Sequence, residues 1–391
     1  MPTTDKLKSL YKNLSLARGR QSGVGPALDD GPLVVAGMFQ TANGLGRAAK
    51  YCVESLEAAG LEPFAVDLSG ALDQLDIDSG LILNDMPRSQ RGTLILFVNA
   101  PETQYALKVL GLRRWHRWRI IGSWAWELPI LPKAWAGPAR HLSEIWVPST
   151  FVAEAARQIV DVPVRVVNHT LPAIDRTLAP STRRSDRSLN CITLADGRSS
   201  FHRKNVIAAT EIFQHGLRSE QQASLTIKCR NLSEFPQFER QLNSISDADR
   251  RVRIEDRSLP DDAYYALLAS ADLLISAHRS EGFGLALAEA MSIGIPVMAT
   301  AWSGNLEFMT PETAALIDFT LEPVSDPFGI YSKFEDCNWA RIDIAHGVAG
   351  LRRLAGDASH RIALGERGRR HVAALLDGRQ YLSALGVLGS G

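Results

Sequence analysis

The chain has 391 residues, 43 Lys+Arg against 43 Asp+Glu, and 45% apolar side chains. At roughly 100–200 residues per domain, that length favours two domains, and the apolar fraction suffices for two buried cores. A formal net charge of zero argues against a dedicated nucleic-acid binder, whose footprint is strongly basic, and against an acidic disordered chain. No apolar run reaches the roughly 20 residues of a membrane span. The best stretch, Leu285 to Trp302, is interrupted by Glu289, and Met1 to Lys6 opens no signal-type segment. Cys52, Cys191, Cys229 and Cys337 lie far apart and match no zinc or redox spacing. These features predict a cytoplasmic enzyme.

In chain order, Asp5 to Arg20 comes first, with Leu7, Leu10, Tyr11 and Leu14 at helical spacing among Lys6, Lys8, Lys12, Arg18 and Arg20. Such a basic amphipathic helix either rests on an anionic membrane surface or packs on its own domain. Leu33 to Gly37 reads as a buried strand, followed by Gln40-Thr41-Ala42-Asn43-Gly44-Leu45-Gly46-Arg47 and a helical pattern from Arg47 to Ala59. Gly44 and Gly46 would let the backbone approach a ligand at a helix start. A dinucleotide fingerprint needs a third glycine, and Ala49 stands there, so that motif alone is ambiguous. Strand patterns continue at Glu62 to Asp67, Thr93 to Val98, Arg119 to Gly122, Glu144 to Val147 and Val164 to Val167. Apolar strands separated by helix-length segments imply parallel sheets covered on both faces.

Asp76-Ile77-Asp78 is formally a metal-binding D-x-D tripeptide, but it follows a polar stretch rather than a strand and reads as a solvated loop. Six of the eight tryptophans, Trp115, Trp118, Trp124, Trp126, Trp135 and Trp146, crowd one stretch of the first half. Indole faces suit sugar rings and equally suit a core. Trp124 and Trp126, with Glu127 beside them, follow a strand and are the best acceptor-side candidates.

From Leu171 to Ser188 prolines and a basic polar run break the apolar rhythm, the mark of an interdomain linker. The rhythm restarts with strands at Leu189 to Leu194, Ser224 to Lys228, Val252 to Glu255, Asp272 to Ile275 and Pro296 to Ala299. Helical patterns fill the gaps at Asn205 to His215, Asp261 to Ser270 and Leu285 to Ile293. Two βα halves joined by a linker suggest a ligand between them. The loop Ala195 to Asn205 holds Arg198, which can fork two phosphate oxygens, and Lys204, a compact point charge. His202 and Arg203 receive no role.

The most informative segment is Ser280-Glu281-Gly282-Phe283-Gly284-Leu285-Ala286-Leu287-Ala288-Glu289-Ala290-Met291. It joins a strand to a helix that is apolar nearly all round and hence buried. Glu289 therefore places a carboxylate where burial needs strong partners, such as the two hydroxyls of a ribose. The competing reading has Glu281 capping the helix and Glu289 paired with a basic neighbour.

This segment, with Gly294-Ile295-Pro296-Val297 and Ser303-Gly304-Asn305-Leu306-Glu307 after it, resembles the acidic motif of retaining GT-B glycosyltransferases of family 4. The spacing of Arg198 and Lys204 resembles the diphosphate-binding block of the same family. The resemblance implies an α/β GT-B fold, two Rossmann-like domains facing a cleft. Residues 1–175 would form an acceptor-side domain, 176–188 a linker and 189–375 a nucleotide-sugar domain, with a helix in 376–391 returning to the first. It implies that Glu289 binds ribose, that Glu281 lies near the transferred sugar, and that the Phe283, Gly284 and Leu285 backbone meets sugar and phosphate. Arg198 and Lys204 would stabilise the departing diphosphate, with Gly44 and Gly46 facing donor phosphate and acceptor. The implied reaction moves a hexose, with retention, from a nucleotide diphosphate sugar to a glycan or lipid-linked glycan, in bacterial surface polysaccharide or lipopolysaccharide synthesis. GDP-mannose and UDP-glucose stay open as donors, and no metal cofactor is expected. Relatives often place a histidine at the acceptor side; this chain has none there, and Glu127 is the substitute carboxylate. A nucleotide-sugar epimerase of the same fold and a non-catalytic nucleotide-sugar binder are the rival readings.

Overall fold

In the computed structural model, residues 31–111, 117–172, 188–217, 222–327, 329–334 and 336–387 are described. The basic segment 5–20 and all of the linker 176–188 except Ser188 lie outside them. The described residues form two units. The first holds those up to Trp126, Ile130–Pro172 and those from Leu376 onward; the second holds Glu127–Pro129 and the rest up to Leu375. The short piece Glu127–Pro129, which carries Glu127, groups with the second unit although the chain on either side of it belongs to the first.

The first unit contains β1 (Leu33–Gly37), β2 (Phe64–Asp67), β3 (Gly92–Phe97), β4 (Trp118–Ser123), β5 (Glu144–Val147) and β6 (Val164–Val166). They form one parallel sheet in the order β2-β1-β3-β4-β5-β6, with Val35 beside Ala65 and Ile95. Every residue of β1, β3, β4 and β5 is buried, as expected for strands covered on both faces. The first helix spans Gly44–Ala58, three residues earlier than the apolar rhythm suggests, because the Asn43 side chain caps it by accepting from the Gly46 N–H at 2.8 Å. The final helix, Arg379–Ala384, packs in this unit: Arg119 Nη2 donates to the Ala384 carbonyl at 2.8 Å, and Tyr381 lies 6.0 Å from Trp146.

The second unit contains β7 (Leu189–Leu194), β8 (Ala223–Cys229), β9 (Val252–Asp256), β10 (Leu273–Ser276), β11 (Val297–Thr300) and β12 (Ala315–Ile317). Its parallel sheet runs β12-β11-β10-β7-β8-β9, so chain order reverses where β7 meets β10. Ligands of open α/β sheets bind beyond the carboxyl ends of the strands at such a reversal. The loops leaving β7 and β10 are the basic and acidic segments, and topology alone makes them neighbours. An antiparallel hairpin, β13 (Phe319–Pro323) and β14 (Asn338–Ile342), stands outside this sheet and is not among the strands read from the sequence. The four cysteines are buried and form no disulfide. No helix among the described residues is long and apolar enough to cross a membrane.

Candidate active site

The basic loop is built by unusual backbone. Asp196 caps a short 3₁₀ turn, Gly197–Ser199, and is itself held by Asn231 Nδ2 at 2.7 Å and by Arg230. A side chain on Gly197 would meet the Phe235 ring at 2.5 Å, so the loop lies flat against that ring. One helical turn, Phe201–Lys204, then ends on Asn205 in the left-handed region at φ 53°. Asn205 tolerates that conformation and donates from Nδ2 to the Ala277 carbonyl at 2.9 Å, tying the basic loop to the exit of β10.

Lys204 Nζ donates to Glu281 Oε1 at 2.6 Å, and Arg203 Nη1 approaches the same oxygen at 3.2 Å. The two sequence-predicted loops therefore meet, with Lys204 and Glu281 in direct contact. Burial alone would raise the Glu281 pKa, but Lys204, Arg203 and His278 outweigh it and hold the carboxyl down to about 2. The ionised form of Glu281 is thereby favoured. Its backbone is pinned as well: its N–H donates to Ser303 Oγ at 2.8 Å, and its carbonyl accepts from the Gly304 N–H at 2.9 Å. His278, fully buried, has its pKa lowered by burial and sits between Ser276 Oγ at 3.0 Å and Asn305 Oδ1 at 3.1 Å. Burial therefore disfavours the protonated ring, the form in which it would add positive charge facing Glu281.

Gly284 adopts φ 86° and caps the helix Leu285–Ser292, whose first amides point away from the helix body as an anion cradle. Phe283 and Leu285 are buried, Phe283 against Phe308 at 4.9 Å, so neither side chain is exposed. Glu289 is 1% exposed, and its Oε2 accepts from the Tyr264 hydroxyl at 2.9 Å. One partner of this buried carboxylate is thus a phenol from the helix Asp261–Ala269.

Arg198 is more than half exposed, and its guanidinium forks Glu234, Nε to Oε2 at 3.1 Å and Nη2 to Oε1 at 2.6 Å. Such an exposed pair is worth little and can exchange its carboxylate for a phosphate. Glu127 accepts from the Tyr331 hydroxyl at 2.9 Å, and its carbonyl accepts from Ser280 Oγ. Tyr331 comes from the β13–β14 connection, an element without a sequence signal.

In the first unit, a side chain on Gly46 would meet the Met38 carbonyl at 2.4 Å, so that glycine serves the chain's own packing. A side chain on Gly44 would meet nothing within 4 Å, which leaves the helix start open to a ligand. Trp124 is 1% exposed and packs edge-on against Trp135 at 5.4 Å, while Trp126 meets the same ring at 5.1 Å and donates to the Ile130 carbonyl at 2.8 Å. This is core packing, and neither indole presents an open face. Asp76 accepts from the Ala42 N–H at 2.8 Å and Asp78 from the Gly80 N–H at 3.0 Å, both as loop caps. Among the described residues no group of three His, Cys, Asp or Glu could hold a metal ion.

Residues 150–327 match the family described as "Family 4 Glycosyltransferase in conflict systems". No curated protein matches the chain. Among solved structures, the chain is similar to HepE of Anabaena, solved with UDP and glucose, at 11% identity and TM-score 0.60, covering 91% of this chain and 100% of that one. It is similar to sucrose-phosphate synthase of Thermosynechococcus elongatus at 14% identity and TM-score 0.60, covering 91% and 100%. It is similar to S. aureus TarM at 10% identity and TM-score 0.53, covering 75% of this chain but only 55% of TarM. The fold is GT-B, and the resemblance to family 4 glycosyltransferases holds.

Proposed function

We propose that the chain transfers a hexose, with retention, from a nucleoside diphosphate sugar to a hydroxyl of a glycan or lipid-linked glycan. The observation that carries this reading is the Lys204–Glu281 contact at the β7/β10 reversal, set beside the helix start at Gly284 and the buried Glu289. HepE, a neighbour in fold, was solved with UDP-glucose, which is compatible chemistry for these groups.

In this reading, Lys204, the Gly284 and Leu285 amides and Arg198, released from Glu234, meet the diphosphate and stabilise its charge as the glycosidic bond breaks. Both cations on Glu281 bind Oε1, so Oε2 takes a sugar hydroxyl. Glu289 takes the ribose diol, sharing its carboxylate with Tyr264. The acceptor hydroxyl attacks the face the leaving group vacates, with the diphosphate oxygen receiving its proton, and the sugar passes through an oxocarbenium-like state. Surface polysaccharide or lipopolysaccharide is the acceptor that the family resemblance suggests. Incubation of pure protein with UDP-glucose and GDP-mannose, with and without a glycan panel, tests the reading. Glycoside supports it; an epimer or bound but unreacted donor would replace it with one of its rivals.

Glu289→Gln is expected to weaken nucleotide binding by about 1–3 kcal/mol, the loss of a charge-assisted hydrogen bond. The fold should persist, because the amide oxygen can still accept from Tyr264. Unchanged UDP and GDP affinity in calorimetry would remove the ribose role. Transfer is also expected to persist in excess EDTA, because fixed side chains and amides supply the positive charge. Activity abolished by chelator and restored by Mg²⁺ or Mn²⁺ would overturn that expectation.

A further inference from the structure

Arg203 precedes Lys204 in sequence, yet the two side chains differ completely in setting. The Arg203 side chain is 1% exposed and that of Lys204 21%. The Arg203 guanidinium spans both loops of the site. Nη1 donates to the Ser280 carbonyl at 2.7 Å and contacts Glu281 Oε1 at 3.2 Å; Nη2 donates to Ser199 Oγ at 2.6 Å and to the Ser199 carbonyl at 3.0 Å. Its own carbonyl accepts from the Arg279 N–H at 2.8 Å. Burial opposes its charged form, but the Glu281 and Glu127 carboxylates, with the Tyr331 hydroxyl beside them, hold its pKa above the ordinary value.

Burying a cation costs several kcal/mol unless its partners repay it, and two neutral hydrogen-bonding groups could bridge these loops more cheaply. The charge itself needs a reason. Arg203 and Lys204 are cations, Glu281 and Glu127 anions, and the four sum to zero. Without Arg203 the cluster carries a net negative charge where a diphosphate has to bind. Lys204 would also close onto Glu281 as a private pair.

We propose that Arg203 is a positioning residue: it holds Glu281 by Oε1 across the two loops, leaving Lys204 charge for the diphosphate and Glu281 Oε2 for the sugar. The inference rests on the function proposed above and deepens it.

Two variants separate charge from geometry. Arg203→Met removes both, whereas Arg203→Lys keeps the charge without the fork. The groups facing Glu281 are Lys204, Arg203 and His278, and Arg203→Met removes one of its two cations. Its carboxyl, read by ¹³C NMR and assigned with Glu281→Gln, should titrate at least about one unit higher, since each nearby opposite charge favours the ionised form. The acid limb of the rate profile should rise with it. In nucleotide release from UDP-glucose and GDP-mannose, kcat should fall roughly 10–10²-fold with a smaller change in donor KM, as for a misplaced catalytic group. Arg203→Lys should restore the acid limb without restoring kcat.

A folded Arg203→Met protein with an unshifted Glu281 titration would overturn the proposal. So would Arg203→Lys with wild-type kcat, which decides the matter if the methionine variant does not fold. If the wild-type protein turns over neither donor, the function proposed above fails on its own. The Glu281 titration in Arg203→Met and Arg203→Lys still reads whether Arg203 holds that carboxylate.

Discussion

Replacing Lys204 by alanine is expected to lower kcat for sugar transfer by roughly 10²–10³, comparable to deleting one preorganised electrostatic donor. The structure adds a second consequence. Glu281 would keep Arg203 alone as its cation, in a setting where burial works to raise its pKa. Charge lost from the leaving-group side and a less firmly ionised carboxylate act in the same direction. Arg198 remains available for phosphate, so donor affinity should fall less than kcat. Lys204→Arg should not fully rescue, because a planar fork cannot replace a compact ammonium at 2.6 Å from the carboxylate. Initial rates at saturating donor test this. A Lys204→Ala enzyme within a factor of about three of wild type would be too active for any preorganised donor of that size.

The parts of the site legible in the sequence are those whose chemistry is local. A glycine turn followed by an apolar helix containing one carboxylate states its own problem within a dozen residues, and Glu289 is indeed 1% exposed. The alternation of apolar strands and helices foretold two parallel sheets, and their reversal at β7/β10 makes neighbours of segments 77 residues apart. Arg203 escaped because nothing local separates a buried arginine from an exposed one in Phe201-His202-Arg203-Lys204; its burial comes from Ser280 and Glu281. Tyr264 and Tyr331 escaped for the same reason. The tryptophans misled in the opposite sense. Their crowding in one stretch after a strand suited a binding face as well as a core, whereas Trp124 and Trp126 both pack edge-on against Trp135. Composition cannot tell an aromatic core from an aromatic platform. β13 and β14 were missed because short, half-exposed strands beside a turn carry no continuous apolar run.

Gly304→Ala is expected to damage the site from behind, through a residue with no functional group. A Cβ there would lie 2.1 Å from the Gly282 carbonyl oxygen, 2.4 Å from its carbon and 2.8 Å from the Phe283 nitrogen. All three are backbone atoms, so no side-chain rotation relieves the clash. The surrounding chain is already committed: Ser303 sits at φ 80°, its hydroxyl accepts from the Glu281 N–H, and the Gly304 N–H holds the Glu281 carbonyl. One methyl group must therefore displace the Glu281–Gly284 turn itself. Overpacking of this kind costs roughly 1–3 kcal/mol. Displacing the turn by about an ångström should cost kcat up to about 10². Gly44→Ala is the control, since its Cβ meets nothing within 4 Å and alanine favours the helix it begins. Denaturant unfolding should show Gly304→Ala destabilised and Gly44→Ala unchanged or slightly more stable. UDP-glucose and GDP-mannose turnover should fall in the first even at temperatures where it remains folded. A Gly304→Ala protein with wild-type stability and turnover would mean that the acidic loop does not lean on this glycine, and that the helix start at Gly284 is positioned by other contacts.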